Sequence, residues 1–436
     1  MIMVLSCTCV HALADDAGNG QFWIPQLLGA QYTGIGQHLY PFPAKYSGPL
    51  GLTPDGDTQI SHTFGVYSGM QITPRLQAYL DVEMFKGGGI GGATGLGGIT
   101  NGDVVRAGSG LPKDPYIARA YLQYTLPLGG DTAHVDRGMD QLPGEILMRA
   151  LTVKLGKLSL ADDFDQNRYA DSTRTQFENW DFINDVAWDY AADTRGYTDG
   201  LMLDYAQPTW ALKFGLYRMP ERANQEALEW PLTLAHGENL ELDLMPNQSG
   251  TVLRLLAYRN VARMGIYSDA IAIARTDGTQ PNIVADDAAG RVKHGFALNV
   301  EQPVADQGGT GLFGRLGWND GHTESFVYTE VDRTVSIGMQ FAGAHWGRAD
   351  DRLGIAVAYN GLASAHRQYL EAGGCGFELC DGALNYGYEQ IMETYYRIQA
   401  GKCLQISPDV QFIRNPGYNR DRGPARVISL RLHWSL

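Results

Sequence analysis

A period of two runs through this chain in long segments, and no other feature narrows the available folds as much. Leu212, Phe214 and Leu216 alternate with Lys213, Gly215 and Tyr217, and Leu240, Leu242 and Leu244 with Glu241 and Asp243. Val335, Ile337, Met339 and Phe341 alternate with Ser336, Gly338 and Gln340. Ile428, Leu430, Leu432, Trp434 and Leu436 alternate with Ser429, Arg431, His433 and Ser435. Neighbouring side chains of a strand point to opposite faces, so each segment has one apolar face and one polar or small face. A soluble sandwich alternates in the same way, and length separates the two cases. These segments run for roughly ten to thirteen residues, whereas strands of soluble sheets centre on about five or six. A tilted strand that crosses a bilayer needs about 9–11.

The alternation predicts strands near 31–40, 61–72, 74–86, 115–127, 148–158, 197–206, 209–219, 238–246, 250–259, 293–302, 310–319, 332–343, 352–360, 388–398, 402–413 and 424–436. The connectors alternate in length. Thr73, Gln207-Pro208, Asn247-Gln248-Ser249 and Ala400-Gly401 are tight turns, while 87–114, 160–196, 260–292 and 361–387 are long. Short turns at one end and long loops at the other predict an all-β protein, a transmembrane antiparallel barrel of about 16 strands. In hydrocarbon every backbone donor and acceptor must be paired, so such a sheet has to close. The last strand would then pair with the first. Tyr124, Trp210, Tyr217, Tyr258, Trp318, Tyr359 and Trp434, near segment ends, are expected to form interfacial girdles.

Composition agrees with a folded membrane protein. Charged residues make up 19% of the 436, below the soluble average of about 25%, and the chain has 23 Tyr and 8 Trp, which argues against disorder. A net charge of −14 and the absence of a basic run exclude nucleic acid as the main partner. Residues 1–14 read as a signal peptide ending in Ala12-Leu13-Ala14, with the basic n-region missing as in a truncated leader. Residues 15–30 are expected as a periplasmic N-terminal segment, and the barrel as 31–436. Export permits disulfides. Cys375 and Cys380, in GGCGFELCDG, are expected to form one, Cys7 and Cys9 to leave with the leader, and Cys403 to be left over.

Most motif matches do not survive inspection. Gly87-Gly88-Gly89-Ile90-Gly91-Gly92 fits G-x-G-x-x-G, but no helix-forming sequence follows it. Asp163, Asp165 and Asn167 have the spacing of a calcium loop, yet Arg168 and Arg174 replace the required Gly and Glu. A looser calcium contact at these loops stays open. No nucleophile elbow, metalloprotease helix or zinc pattern occurs, so no cofactor or metal is expected.

Segment 160–196 differs from the strands. It is rich in Asp, Asn, Arg, Trp and Tyr, too polar for a core and too aromatic for a linker. It is the third long loop and is expected to be partly helical and to fold inward as a constriction. Rings beside carboxylates and guanidinium groups suit sugars, whose apolar faces stack while their hydroxyls take directional hydrogen bonds. Asp165, Arg168, Trp180, Trp188 and Arg195 are its candidate sugar contacts. On the strands, alternation places Asp81, Glu83, Arg119, Lys154, Arg254, Arg315 and Gln340 on the lumen side, because a lipid-facing Arg costs roughly 2–4 kcal/mol at mid-bilayer.

Three stretches carry a resemblance to a known family. They are KLGKLSLADDFDQNRYADSTRTQFENWDFINDVAWDYAADTRGYT at 154–198, PTWALKFGLYR at 208–218, and QISPDVQFIRNPGYNRDRGPARVISLRLH at 405–433. The chain resembles the carbohydrate-selective porins of the OprB type, with weaker similarity from Gln31 to the end. It departs from the pattern in ending on Leu436, where an aromatic is usual. The resemblance implies a sixteen-stranded barrel of the Gram-negative outer membrane, monomeric or homotrimeric, that passes mono- and oligosaccharides by facilitated diffusion. Two other classes of function share the architecture. A non-conducting barrel that binds surface polysaccharide predicts a plugged lumen, and a barrel-borne lipid or ester hydrolase predicts a Ser–His pair near one rim.

Overall fold

In the computed structural model, residues 26–105, 113–246 and 249–436 are described, so the leader, Cys7, Cys9 and the Asn247-Gln248 turn lie outside the described residues. Strands β1 (Leu27–Leu39), β2 (Asp57–Thr73), β3 (Leu76–Gly87) and β4 (Tyr116–Pro127) come first, followed by the short β5 (Thr132–Val135) and β6 (Gly144–Leu147). Then come β7 (Ala150–Leu158), β8 (Thr198–Gln207), β9 (Trp210–Arg218), β10 (His236–Leu244), β11 (Val252–Met264) and β12 (Ala288–Ala305). β13 (Thr310–Asn319), β14 (Arg333–Ala342), β15 (Arg352–Gly361), β16 (Glu389–Ala400), β17 (Leu404–Arg414) and β18 (Ala425–Ser435) complete the order. All but β5 and β6 form one closed antiparallel barrel of sixteen strands. β18 returns to β1 in register from Gln31↔Ser435 to Leu39↔Val427, so neither terminal strand keeps a free edge.

The outer surface is the apolar face of the alternation. Leu80, Leu122, Leu155, Phe214, Leu240, Phe296, Ile337, Met392, Val410 and Leu430 all point outward and are exposed. A belt of this kind would be an aggregation hazard in water and is the matching surface for lipid. Tyr124, Trp210 and Tyr359 lie on it as expected. Tyr217 and Tyr258 do not. Both fall on the lumen parity, Tyr217 with Gly215 two residues before it and Tyr258 with Leu256, and both are buried inside the barrel.

Three boundaries differ from the sequence reading. β1 begins at Leu27 rather than 31, because Leu27 to Ala30 already pair with β2, which takes the end of the expected periplasmic segment into the wall. β11 and β12 extend to Met264 and from Ala288, so both ends of the supposed loop 260–292 are strand. The connection between β4 and β7 is not a tight turn although it lies at the short-turn end; it holds the β5–β6 hairpin. That hairpin's tip folds back against the barrel, with Arg137 donating to the Leu28 carbonyl and Asp140 within 3.3 Å of Arg119. Cys375 and Cys380 are bonded, as their spacing suggests. Cys403 also takes part in a disulfide, so it is not a leftover thiol.

Helices are few and sit in the connections between strands. α1 (Trp180–Ile183) is a single turn within 159–197, and α2 (Tyr267–Asp277) and α3 (Ser364–Glu371) lie in the outer loops. α2 buries Tyr267, Ala270, Ile271 and Ala274 on one face and stops at Gly278, whose φ of 66° is the left-handed cap that favours glycine. Tyr369 and Leu370 of α3 pack with that face, beside Leu379 and Tyr418.

Candidate functional site

Strand register sets charged side chains side by side on the inner wall. Asp81 on β3 pairs with Arg119 on β4, Gln123 on β4 with Lys154 on β7, and Asp204 on β8 with Lys213 on β9. Lys213 opposes Glu241 on β10, Asp243 opposes Arg254 on β11, and Arg254 opposes Asn299 on β12. The sign alternates from β8 to β11, while Arg119 and Lys154 put two cations on the adjacent strands β4 and β7. Ion pairs close the band at 3.3 Å for Arg119–Asp81, 3.0 Å for Lys213–Glu241, 2.8 Å for Lys213–Asp243 and 3.3 Å for Arg254–Glu301.

Loop 159–197 folds against this wall because the wall supplies what its polar backbone needs. The Glu241 carboxylate accepts the Asp165 N–H at 2.7 Å, Glu301 accepts Arg168 N–H at 2.9 Å, and Glu393 accepts Asn179 N–H at 3.0 Å. Asn179 in turn caps α1, its side chain accepting Asp181 N–H at 3.0 Å. From the loop, Asp162 and Asp163 reach Arg119 and Lys154, each at 2.6 Å. Asp189 meets Lys293 of β12 at 3.1 Å. A buried loop with unpaired N–H groups would be strongly disfavoured, and these contacts remove that penalty.

The predicted residues divide into two groups. Arg168 and Arg254, with Asn167, Asp171, Gln176 and Glu301, border a polar cavity of about 380 Å³ between the loop and the wall. The Arg168 guanidinium lies beside Gly250 and Gly308 of two short turns, so the cavity opens at that end of the barrel. Lys154 and Arg119 hold the loop's carboxylates. Glu83 accepts from Tyr197 at 2.6 Å and faces Arg174 at 2.9 Å.

The others are anchored. Asp165 is 1% exposed against a fully buried Arg315, and Gln340 is buried, accepting from the Tyr395 hydroxyl at 3.0 Å. Trp180, 9% exposed, stacks on Tyr328 at 5.0 Å. Trp188, 2% exposed, donates its indole N–H to Asn239 at 2.9 Å. Both rings are enclosed by protein, which corrects the expectation that they offer a face to sugar: the apolar area that suits a sugar also suits the loop's own packing. Arg195 pairs with Glu226 and lies over the Tyr116 ring at 4.5 Å. Of the missed residues, Glu301 was legible, since it shares the parity of Asn299. Asp171 and Gln176 lie in a loop without periodicity, and nothing in the sequence singled them out.

Asp163 and Asp165 point to different cations, Lys154 and Arg315, so the calcium-like spacing is used for ion pairs. Among the described residues no group of His, Cys, Asp and Glu is arranged to hold a metal ion. The glycines after β3 carry a short turn at Ile90–Gly92 rather than the helix a dinucleotide needs.

A closed sixteen-stranded barrel with an apolar exterior, a charged interior and a long inward loop defines the outer-membrane porins. The sequence matches the family model for the carbohydrate-selective porins, OprB family, over residues 121–436, and the chain belongs to that family. The fold is similar to that of Pseudomonas putida OprB in its high-pH structure, with a TM-score of 0.69 and 16% identity over 94% of each chain. It is also similar to the outer membrane channel DcaP of Acinetobacter baumannii, with a TM-score of 0.50 and 10% identity over 94% of this chain and 96% of that one. Porin AaxA of Chlamydia trachomatis serovar D is 26% identical over 142 residues, which are 33% of this chain. The match spans 26% of the length of that relative.

Proposed function

We propose that the protein is a passive outer-membrane channel that passes mono- and oligosaccharides by facilitated diffusion, without cofactor or covalent step. The observation that carries this reading is the polar cavity between the inward loop and the wall, where Arg168 and Asp171 of the loop meet Arg254 and Glu301 of the wall. Sugar hydroxyls both donate and accept, so a wall that alternates guanidinium and carboxylate groups can replace part of a sugar's water shell as it moves. Binding must stay weak enough for release, so flux is expected to saturate at modest affinity. Family membership and the apolar belt support placement in the outer membrane of a Gram-negative bacterium, as a monomer or a homotrimer.

Single-channel recording in a planar bilayer, with and without sugar, tests the reading. Ion current that sugars block saturably supports it. The absence of conductance would favour the polysaccharide-binding barrel. For the hydrolase, the hydroxyl–imidazole hydrogen bonds among the described residues are Thr33–His433, Thr58–His38 and Tyr32–His62, none of which involves serine.

A further inference from the structure

The mixed band of charges lies on the wall from β3 to β12, and the wall at β15 and β16 is built differently. Arg352, the first residue of β15, is the cross-strand partner of Arg397 on β16. Both have the inward parity. Gly354 and Ala356 follow Arg352 on that face and Glu393 and Tyr395 precede Arg397, all of them buried. Side chains directly opposite in an antiparallel pair stand about 4.5–5.5 Å apart at Cβ, and like charges there repel. Two guanidinium groups so placed call for a counter-charge.

The protein does not supply one. Among the described residues neither guanidinium forms an ion pair, and Arg397 makes no hydrogen bond. Arg352 donates through Nη1 to the carbonyls of Ala349 and Asp351, each at 2.7 Å, which fixes its direction and neutralises nothing. The Asp351 carboxylate is already committed: it pairs with Arg348 and accepts the Tyr396 hydroxyl at 2.7 Å and the Gln399 N–H at 3.0 Å. Glu393 and Asp409 are buried deeper in the wall, and Glu393 holds the loop's Asn179 N–H. Arg431 of β18 is enclosed, bound to the Thr173 carbonyl at 2.6 Å and 3.9 Å from Glu178, and offers no contact. Arg352 and Arg397 are only half-buried, and of their unbonded nitrogens Arg397 Nε alone is enclosed. Both Nη atoms of Arg397, with Nε and Nη2 of Arg352, therefore stay open to solvent on the lumen side.

A guanidinium presents parallel N–H donors that match two oxygens of a carboxylate or phosphate. Two of them side by side, open on one edge and without an acid of their own, suit an oxyanion. We propose that Arg352 and Arg397 bind the carboxylate of a sugar acid, so that the channel takes uronates in preference to neutral sugars of the same size. Arg352 follows the turn 343–351 and Arg397 precedes the turn at Gly401, at the short-turn end where the lumen cavity opens. That the carboxylate is carried by a sugar rests on the proposed function; the oxyanion site rests on the strand register and the unpaired guanidinium groups.

Saturation-transfer NMR on the full chain in detergent at low salt, with glucuronate and glucose as probes, tests it. Glucuronate should bind at least about five-fold tighter than glucose. R397Q and R352Q should each bring that ratio close to one, and R397K, which keeps the charge and loses the fork, should keep only part of it. R397Q removes a group that bonds nothing in the protein, so heat-modifiable mobility should be unchanged. A ratio near one in the unmodified protein, or a high ratio that survives both R397Q and R352Q, overturns the site. Tighter binding of inorganic phosphate than of glucuronate would give the site to the free ion and overturn the sugar acid. Saturable glucose block of ion current without glucuronate preference would overturn this inference alone and leave the proposed function standing. Arg397-dependent glucuronate binding by a protein that does not conduct would keep the site and overturn the channel.

Discussion

Arg315 on β13 and Asp165 in the inward loop form an ion pair at 3.1 Å, with both side chains shielded from water. The same guanidinium donates to the carbonyls of Phe182 at 2.7 Å and Ala170 at 2.9 Å. One wall residue therefore holds three points of the loop.

Removing one partner of a buried pair leaves an uncompensated charge. R315A is expected to destabilise by about 3–5 kcal/mol, read as a lower temperature of heat-modified mobility. An R315M/D165L double variant removes both charges but also the guanidinium's hydrogen bonds to the Phe182 and Ala170 carbonyls, so it should recover only part of the loss. Unchanged stability in R315A would contradict the anchoring role.

Arg168 borders the lumen cavity rather than the packed core. R168Q should keep the barrel folded and weaken saturable sugar block several-fold, equivalent to about 1 kcal/mol for a lost hydrogen bond. W188A should behave differently. It would empty a packed site, cost about 3–5 kcal/mol, and alter stability before sugar affinity.

His366 lies in α3, outside the barrel wall. Burial would lower its pKa, but the carboxylates of Asp332 and Glu330 outweigh that and raise it to about 9. A folded pKa above the unfolded value of about 6.5 stabilises fully below that pH, and the contribution is lost as pH rises through about 9. Protection of segment 362–388 from protease should therefore fall between those values. H366Q should flatten the profile.

The Cys375–Cys380 bond closes a short loop. Mass spectrometry after alkylation without reduction should find neither thiol free. In the loop-closure account, a C375S/C380S variant loses about 2 kcal/mol of local stability, visible as faster hydrogen exchange in 362–388 while the strands stay protected.

The barrel was legible because lipid and lumen impose opposite chemistries on alternate residues, and that rule reaches every strand. It also identified the inward face of Asp81, Arg119, Lys154, Arg254 and Arg315. Tyr217 and Tyr258 were misplaced where nearness to a segment end was weighed above parity. The β5–β6 hairpin was missed because two four-residue strands hold too few residues for a period to emerge. In the inward loop, composition marked sugar-like chemistry but not which groups would turn to the wall. Trp180, Trp188 and Asp165 satisfy the fold, while Arg168 and Asp171 border open space, and only the three-dimensional arrangement separates them.

Liposome swelling tests the central claim most directly, comparing a disaccharide with a neutral polyol of similar size. A sugar-preferring channel predicts faster, saturable entry of the disaccharide through the unmodified protein, with the preference reduced in R168Q. Equal swelling rates for the two solutes in the unmodified protein would contradict sugar selectivity.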